Sequence, residues 1–174
     1  MDQQFIESLS SQLKKIRKYC MDAEVTLAVA ESVSAGMLQM LFSTMEEAEL
    51  FFSGGVTTYS CEMKAKLLDI SLEKCESCFG VNQGITDEMA KNISTLMNAD
   101  VGVALTGFAS PIPEEGIYEK FAFCSICFRR EIVWDGSFSS IKEQQYEAQL
   151  DFAQQTISAF SSNIPLLQSK IKPK

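Results

Sequence analysis

The chain has 174 residues, long enough for one hydrophobic core of ordinary domain size. It contains no histidine, which excludes imidazole general bases, histidine-based triads and histidine-ligated metals. Its formal charge of -8 and pI of about 4.6 oppose steering toward nucleic acid or an anionic membrane, and no apolar run reaches the roughly 20 residues of a spanning helix.

In chain order, Asp2 to Met21 places Phe5, Ile6, Leu9, Leu13, Ile16 and Tyr19 at near-helical spacing, predicting an amphipathic helix without the apolar block of a signal peptide. Val25 to Ala30 is a short apolar run of the kind buried on both faces of a sheet, and a helix from about Ser34 to Thr44 should follow it. Phe51 to Tyr59 predicts a strand broken at Gly54-Gly55, after which Ser60 caps a helix to about Asp69. Ile70 to Ile85 reads as a loop. Thr86 to Met97 reads as a helix capped by Thr86, with its acidic residues early.

Val101 to Thr106 predicts the third strand, followed by the proline-bearing loop Ser110 to Gly116. Phe121 to Phe128 and Glu131 to Phe138, separated by Arg129-Arg130, predict a hairpin. A helix from about Ile141 to Phe160 closes the pattern before a tail expected to fray from about residue 165. Strands alternating with helices, then a hairpin, predict one α/β domain over residues 1–174, a three-layer α/β/α sandwich with a mixed sheet. The six cysteines include Cys75-x-x-Cys78 and Cys124-x-x-Cys127. Residues three apart on a strand face opposite ways, which disfavours Cys124 and Cys127 as a metal pair. Reduced cysteines in a cytoplasmic protein are therefore expected, ahead of a zinc site or a Cys75–Cys78 redox pair.

Two stretches carry candidate chemistry. Glu31-Ser-Val-Ser-Ala-Gly36 lies at a strand-to-helix junction, where backbone N–H groups stabilise an anion and an exposed serine can act as nucleophile. From position alone, the plainer reading is that Ser32 and Ser34 cap the helix. Gly54-Gly-Val-Thr-Thr-Tyr-Ser-Cys-Glu-Met-Lys64 adds Tyr59 and Lys64. Each alone fits a half-buried tyrosine or a solvated helix lysine, but with Ser32 and no histidine they form a candidate Ser/Tyr/Lys set.

These stretches resemble the CinA C-terminal domain family. Its Glu-Ser-Cys-Thr-Gly-Gly pattern is similar to Glu31 to Gly36, and its Gly-Gly-Val-x-x-Tyr-Ser-Asn-Glu-x-Lys pattern to Gly54 to Lys64. The likeness continues through Lys66-Leu-Leu-Asp69, Gly84 to Ala90 and Thr106-Gly-Phe-Ala109. The resemblance implies a CinA-like fold, a homodimer, and deamidation of nicotinamide mononucleotide without metal or cofactor; apolar Phe51, Phe52 and Trp134 could serve the dimer interface, with core burial the first expectation for each. Ser32 would be the nucleophile and Tyr59 with Lys64 would share the work of the base. Glu31, Ser34, Ala35, Gly36, Gly55, Thr106 and Gly107 would face the substrate, with oxyanion donors among the Val33 to Gly36 amides. The alternative, favoured by the altered 107–120 segment, is a CinA-like nucleotide-binding or regulatory module with little turnover.

The sequence departs from the family pattern at Ala35 for glycine, at Cys61 for asparagine and across residues 107–120, where Thr106-Gly-Phe-Ala-Ser-Pro-Ile-Pro113 replaces a glycine-rich loop. The stretch Ser137 to Lys142 lacks the family's arginine. Lys64, Lys66, Arg129 and Arg130 remain as candidate partners for a substrate phosphate.

Overall fold

A computed structural model describes Glu7 and residues 9–171. The opening turns predicted from Asp2 lie mostly outside these residues, as do residues 172–174 of the expected tail. The first described helix, α1 (Ser10–Ala23), packs Leu13, Ile16, Tyr19 and Cys20 inward. It leads into β1 (Leu27–Glu31), buried at every position, then α2 (Met37–Ser43) and β2 (Phe52–Thr57). Ser60 caps α3 (Cys61–Leu68), its side chain accepting from the Met63 N–H, as its sequence position predicts.

The stretch read as a loop holds a five-residue helix, α4 (Leu72–Glu76), capped by Ser71. The next helix, α5 (Gln83–Leu96), starts earlier than expected because Asn82, not Thr86, caps it by accepting from the Ile85 N–H. Thr86 is buried within the helix and donates back to the Asn82 carbonyl at 2.8 Å. Then come β3 (Val101–Phe108), β4 (Phe121–Phe128) and β5 (Glu131–Ser139). The last two form the predicted hairpin, with Arg129 and Arg130 both at positive φ, the backbone of a two-residue turn matched to strand twist.

The closing helix α6 (Gln145–Lys170) runs past Pro165 instead of fraying there. Proline removes one N–H, but fully buried Leu167 keeps the following turn packed.

The sheet order is β2-β1-β3-β4-β5, with β1 parallel to β2 and β3, and the last two pairings antiparallel. This is the expected α/β class with a mixed sheet. One face packs α1, α2 and α6 through Leu13, Ile16, Leu38, Phe42, Ile157 and Phe160. The other packs α5 and the α3–α4 region through Leu68, Cys75, Ile85, Met89 and Ile93.

Phe51 is buried, while Phe52 and Trp134 pack against the first of these clusters, so their apolar surface serves the interior more than an outer interface. Cys124 and Cys127 fall into clusters on opposite sheet faces. Cys61 and Cys75 form a disulfide, correcting both the expectation of reduced thiols throughout and the alternative pairing of Cys75 with Cys78. Among the described residues no helix is long and apolar enough to cross a membrane.

Candidate active site

The chain leaves β1 toward β2 on one side and reaches β3 on the other, so a crevice opens at the carboxyl ends of the parallel strands, where α/β sheets hold their ligands. The parallel pairing extends one residue past β1: the Ser32 N–H donates to the Leu105 carbonyl at 2.9 Å, and the Thr58 N–H to the Glu31 carbonyl at 2.8 Å. Ser32 is thereby fixed at the end of a strand buried on both faces. Its hydroxyl meets Lys64, whose Nζ lies 3.0 Å from Ser32 Oγ and donates to the Thr58 carbonyl at 2.9 Å.

Lys64 is 2% exposed. Burial pulls its pKa down to about 8, against a smaller opposing influence of Cys78. Desolvation disfavours the ammonium form, and the start of α3, whose N–H groups are the positive end of the helix, acts in the same direction. A neutral Lys64 can keep its bond to the Thr58 carbonyl while its lone pair accepts the Ser32 proton.

Tyr59 lines the same pocket but is 66% exposed, and among the described residues it forms no hydrogen bond with Ser32 or Lys64. The pocket is about 270 Å³, walled by Val33, Phe79, Val81, Phe108, Ile112 and Gln145 besides the three candidate residues. A larger cleft of about 630 Å³ lies between α1 and the turn after α2, lined by Leu13, Arg17, Met21 and Met45, away from Ser32 and Lys64.

The expected substrate-facing residues divide. Gly107 lines the pocket; it also lies where a side chain would collide with the Phe121 carbonyl, so strand packing gives glycine a second reason to be there. Glu31 is fully buried, with Oε2 accepting from Ser34 Oγ and from the amides of Gly36 and Leu38, and Oε1 from the Gln39 amide. Its carboxyl group caps α2 from within the fold. Ser34 is committed to that carboxylate, and the Ala35 N–H to the Ser32 carbonyl at 3.2 Å. The amides of Val33 and Ser34 are the two in this turn that find no acceptor among the described residues.

Ala35 has φ 53° and Gly36 φ 98°, so the turn demands left-handed backbone at both positions, which alanine adopts at a cost. Gly55 sits against the Val29 carbonyl and the Gln39 side chain, not in the pocket. Thr106 is buried and ties the pocket wall to β3 by donating to the Gly80 carbonyl at 2.9 Å. Arg129 and Arg130 lie at the far end of the sheet, on Asp100 and Thr95, which removes them from any role at this pocket. Lys66 is exposed, and Lys64 is the one cation lining the pocket among the described residues. The residues missed from sequence include Thr58, which orients Lys64 through its carbonyl, and Phe79, an exposed aromatic in what had read as loop.

A serine–lysine pair at the switch point of a five-stranded mixed sheet defines the class: an α/β protein with its reactive pair at the carboxyl ends of parallel strands. Residues 9–157 match the CinA C-terminal domain model, and the chain belongs to that family.

A Listeria innocua protein named for competence-damage induction is 35% identical over 96 residues, 55% of this chain and 23% of the relative. One from Streptococcus thermophilus is 36% identical over 107 residues, 62% of this chain and 25% of the relative. The matched part is thus about a quarter of those relatives' length. A crystal structure from Klebsiella pneumoniae, described as a competence-damaged protein (CinA) superfamily protein, has a TM-score of 0.83 at 21% identity, covering 90% of this chain and 98% of that one. That likeness is one of fold.

Proposed function

We propose that this chain is an amidohydrolase that cleaves a linear carboxamide through a Ser32 acyl-enzyme, with nicotinamide mononucleotide, the substrate that family resemblance implies, converted to nicotinate mononucleotide and ammonia. The observation that carries the reading is the buried Lys64 amine 3.0 Å from Ser32 Oγ at a pocket floor. A lysine poised near pH 8 is suited to general base work without histidine.

In the reaction, Lys64 takes the Ser32 proton as Oγ attacks the amide carbon. The resulting oxyanion is held by the Val33 and Ser34 amides, which carry no internal acceptor. Lys64 then returns the proton to the leaving nitrogen, ammonia departs, and a water activated by the same amine releases the acid and frees Ser32. Tyr59, at the exposed rim, contacts the body of the substrate. A homodimer acting in the cytoplasm is the assembly that accompanies this reading, and light scattering of the purified chain tests it.

A second reading, a nucleotide-binding module with little turnover, draws on Phe108 and Ile112 in the altered loop, which give the pocket an apolar rim where a phosphate needs donors. Ammonia release from nicotinamide mononucleotide separates the two. Ser32→Ala and Lys64→Ala should each lower turnover by roughly 10³-fold or more. Turnover indifferent to Ser32→Ala overturns the nucleophile assignment, and nucleotide binding without turnover favours the second reading.

A further inference from the structure

Beside the reactive pair lies a cluster of sulfurs. Cys61 opens α3 one turn before Lys64, Cys75 is fully buried in α4, and Cys78 lies in the turn that carries Phe79 into the pocket wall. The Cys61–Cys75 disulfide spans 14 residues, with Cα atoms 5.6 Å apart. It reaches the lysine through Gly80: the position a side chain would take there is 3.1 Å from Cys75 Sγ, 3.4 Å from Cys61 Sγ and 3.4 Å from Lys64 Cε.

The Cys75 carbonyl accepts from the amides of Gly80 at 2.7 Å and Cys78 at 3.2 Å, so holding Cys75 holds the turn. Phe79 and Val81, on either side of Gly80, line the pocket.

We infer that Cys61 and Cys75 are a reversible thiol–disulfide site, opened by a small thiol and closed by a peroxide, whose state orders or frees the Phe79–Val81 wall beside Lys64. Opening begins at Cys61, the more accessible end. A small thiolate attacks its Sγ, the S–S bond breaks with its electron pair on Cys75, and Cys75 takes a proton. A second small thiol resolves the mixed disulfide, freeing Cys61 as a thiol and leaving as the small-molecule disulfide, so two electrons enter the protein. Closing runs from the Cys61 thiolate, which attacks one oxygen of the peroxide and breaks its O–O bond, giving a sulfenic acid while the other oxygen leaves as water or an alcohol. The Cys75 thiolate then attacks that sulfur, forms the S–S bond and expels hydroxide, which is released as water.

Of the other thiols, half-buried Cys78 is the one close enough to compete for Cys75, and its pairing is an outcome the mapping below distinguishes. Cys20, Cys124 and Cys127 are buried, and burial raises all three, Cys20 and Cys124 to about 12. Opening also places two ionisable sulfurs near the Lys64 stem, and any thiolate there favours the ammonium over the amine.

The test treats the full chain with hydrogen peroxide or dithiothreitol, then denatures and alkylates it without further reduction. Mass spectrometry should count four modified cysteines in the oxidised chain and six in the reduced one, with peptide mapping joining Cys61 to Cys75. Hydrogen exchange at Gly80 should be about tenfold faster or more in the reduced chain, and Cys61→Ser should exchange at the fast rate in both conditions. Where Cys61→Ser does not fold, the comparison of the two states of the natural chain still decides. Six modified cysteines after peroxide, a Cys75–Cys78 bond, or equal exchange in both states overturns the inference. Neither readout requires turnover, so the amidohydrolase reading stands or falls separately.

Discussion

The two ends of the parallel strands handle charge in opposite ways. At the amino ends, Asp100 Oδ2 accepts from the amide and hydroxyl of Thr26, at 3.2 and 3.4 Å, while its Oδ1 pairs with Arg129 Nε at 3.1 Å. These charges are opposite in sign and partly wet. At the carboxyl ends Lys64 is taken out of water with a hydroxyl and a carbonyl as its polar partners. The carboxylate nearest in sequence to Ser32, Glu31, is already occupied by the start of α2. The amino end is arranged for stability, whereas the carboxyl end gives stability up to keep an amine near neutrality, a pattern associated with reactive sites.

Replacing the charge at the costly end gives the largest contrast. Lys64→Met should abolish amide hydrolysis and stabilise the fold at pH 7 by about 1 to 3 kcal/mol, because the folded pKa of about 8 lies well below the unfolded value. The sign follows from proton binding. Between pH 8 and about 10.4 the unfolded state holds the extra proton, so stability of the natural chain rises with pH and the advantage of the variant shrinks. Denaturant melts at pH 7 and pH 10 measure this, and an equal gain at both would break the comparison. Activity of the natural chain should climb with pH through about 8.

Asp100→Ala probes the other end. It should cost about 1 to 2 kcal/mol through lost hydrogen bonds while leaving hydrolysis unchanged, as read by thermal melts beside an ammonia assay. The smallest effect is expected at Ala35, where glycine should relieve the left-handed backbone and stabilise by about 0.5 kcal/mol net of its entropy. A loss of stability in that variant would show that the methyl group packs usefully.

The legible parts of the molecule were those whose cause is local. The β1 run, the Ser60 cap and the Arg129-Arg130 hairpin each follow from a short pattern. The α4 helix is only five residues long, too short for periodicity to register, and the acidic residues after Thr86 mimic a first helical turn although the helix is capped earlier, at Asn82. The tail expected to fray from about residue 165 is helical to Lys170, because fully buried Leu167 keeps the turn after Pro165 packed. At the site, Ser32 and Lys64 could be singled out from residue type and motif, but Lys64's choice of Thr58 and Ser32 as partners depends on strand register. Glu31 and Thr106 lie among motif residues and turned out to brace the structure, a distinction that composition does not express. The Cys61–Cys75 link was illegible because spacing does not determine cysteine pairing.

The burial of Lys64 also bears on ligand design. With its pKa near 8, about one Lys64 side chain in ten is neutral at pH 7, against fewer than about one in a thousand for a solvated lysine. An aldehyde or activated ester small enough for the pocket would therefore meet two nucleophiles side by side, the serine hydroxyl and an unusually available amine, and a single covalent probe could bridge them.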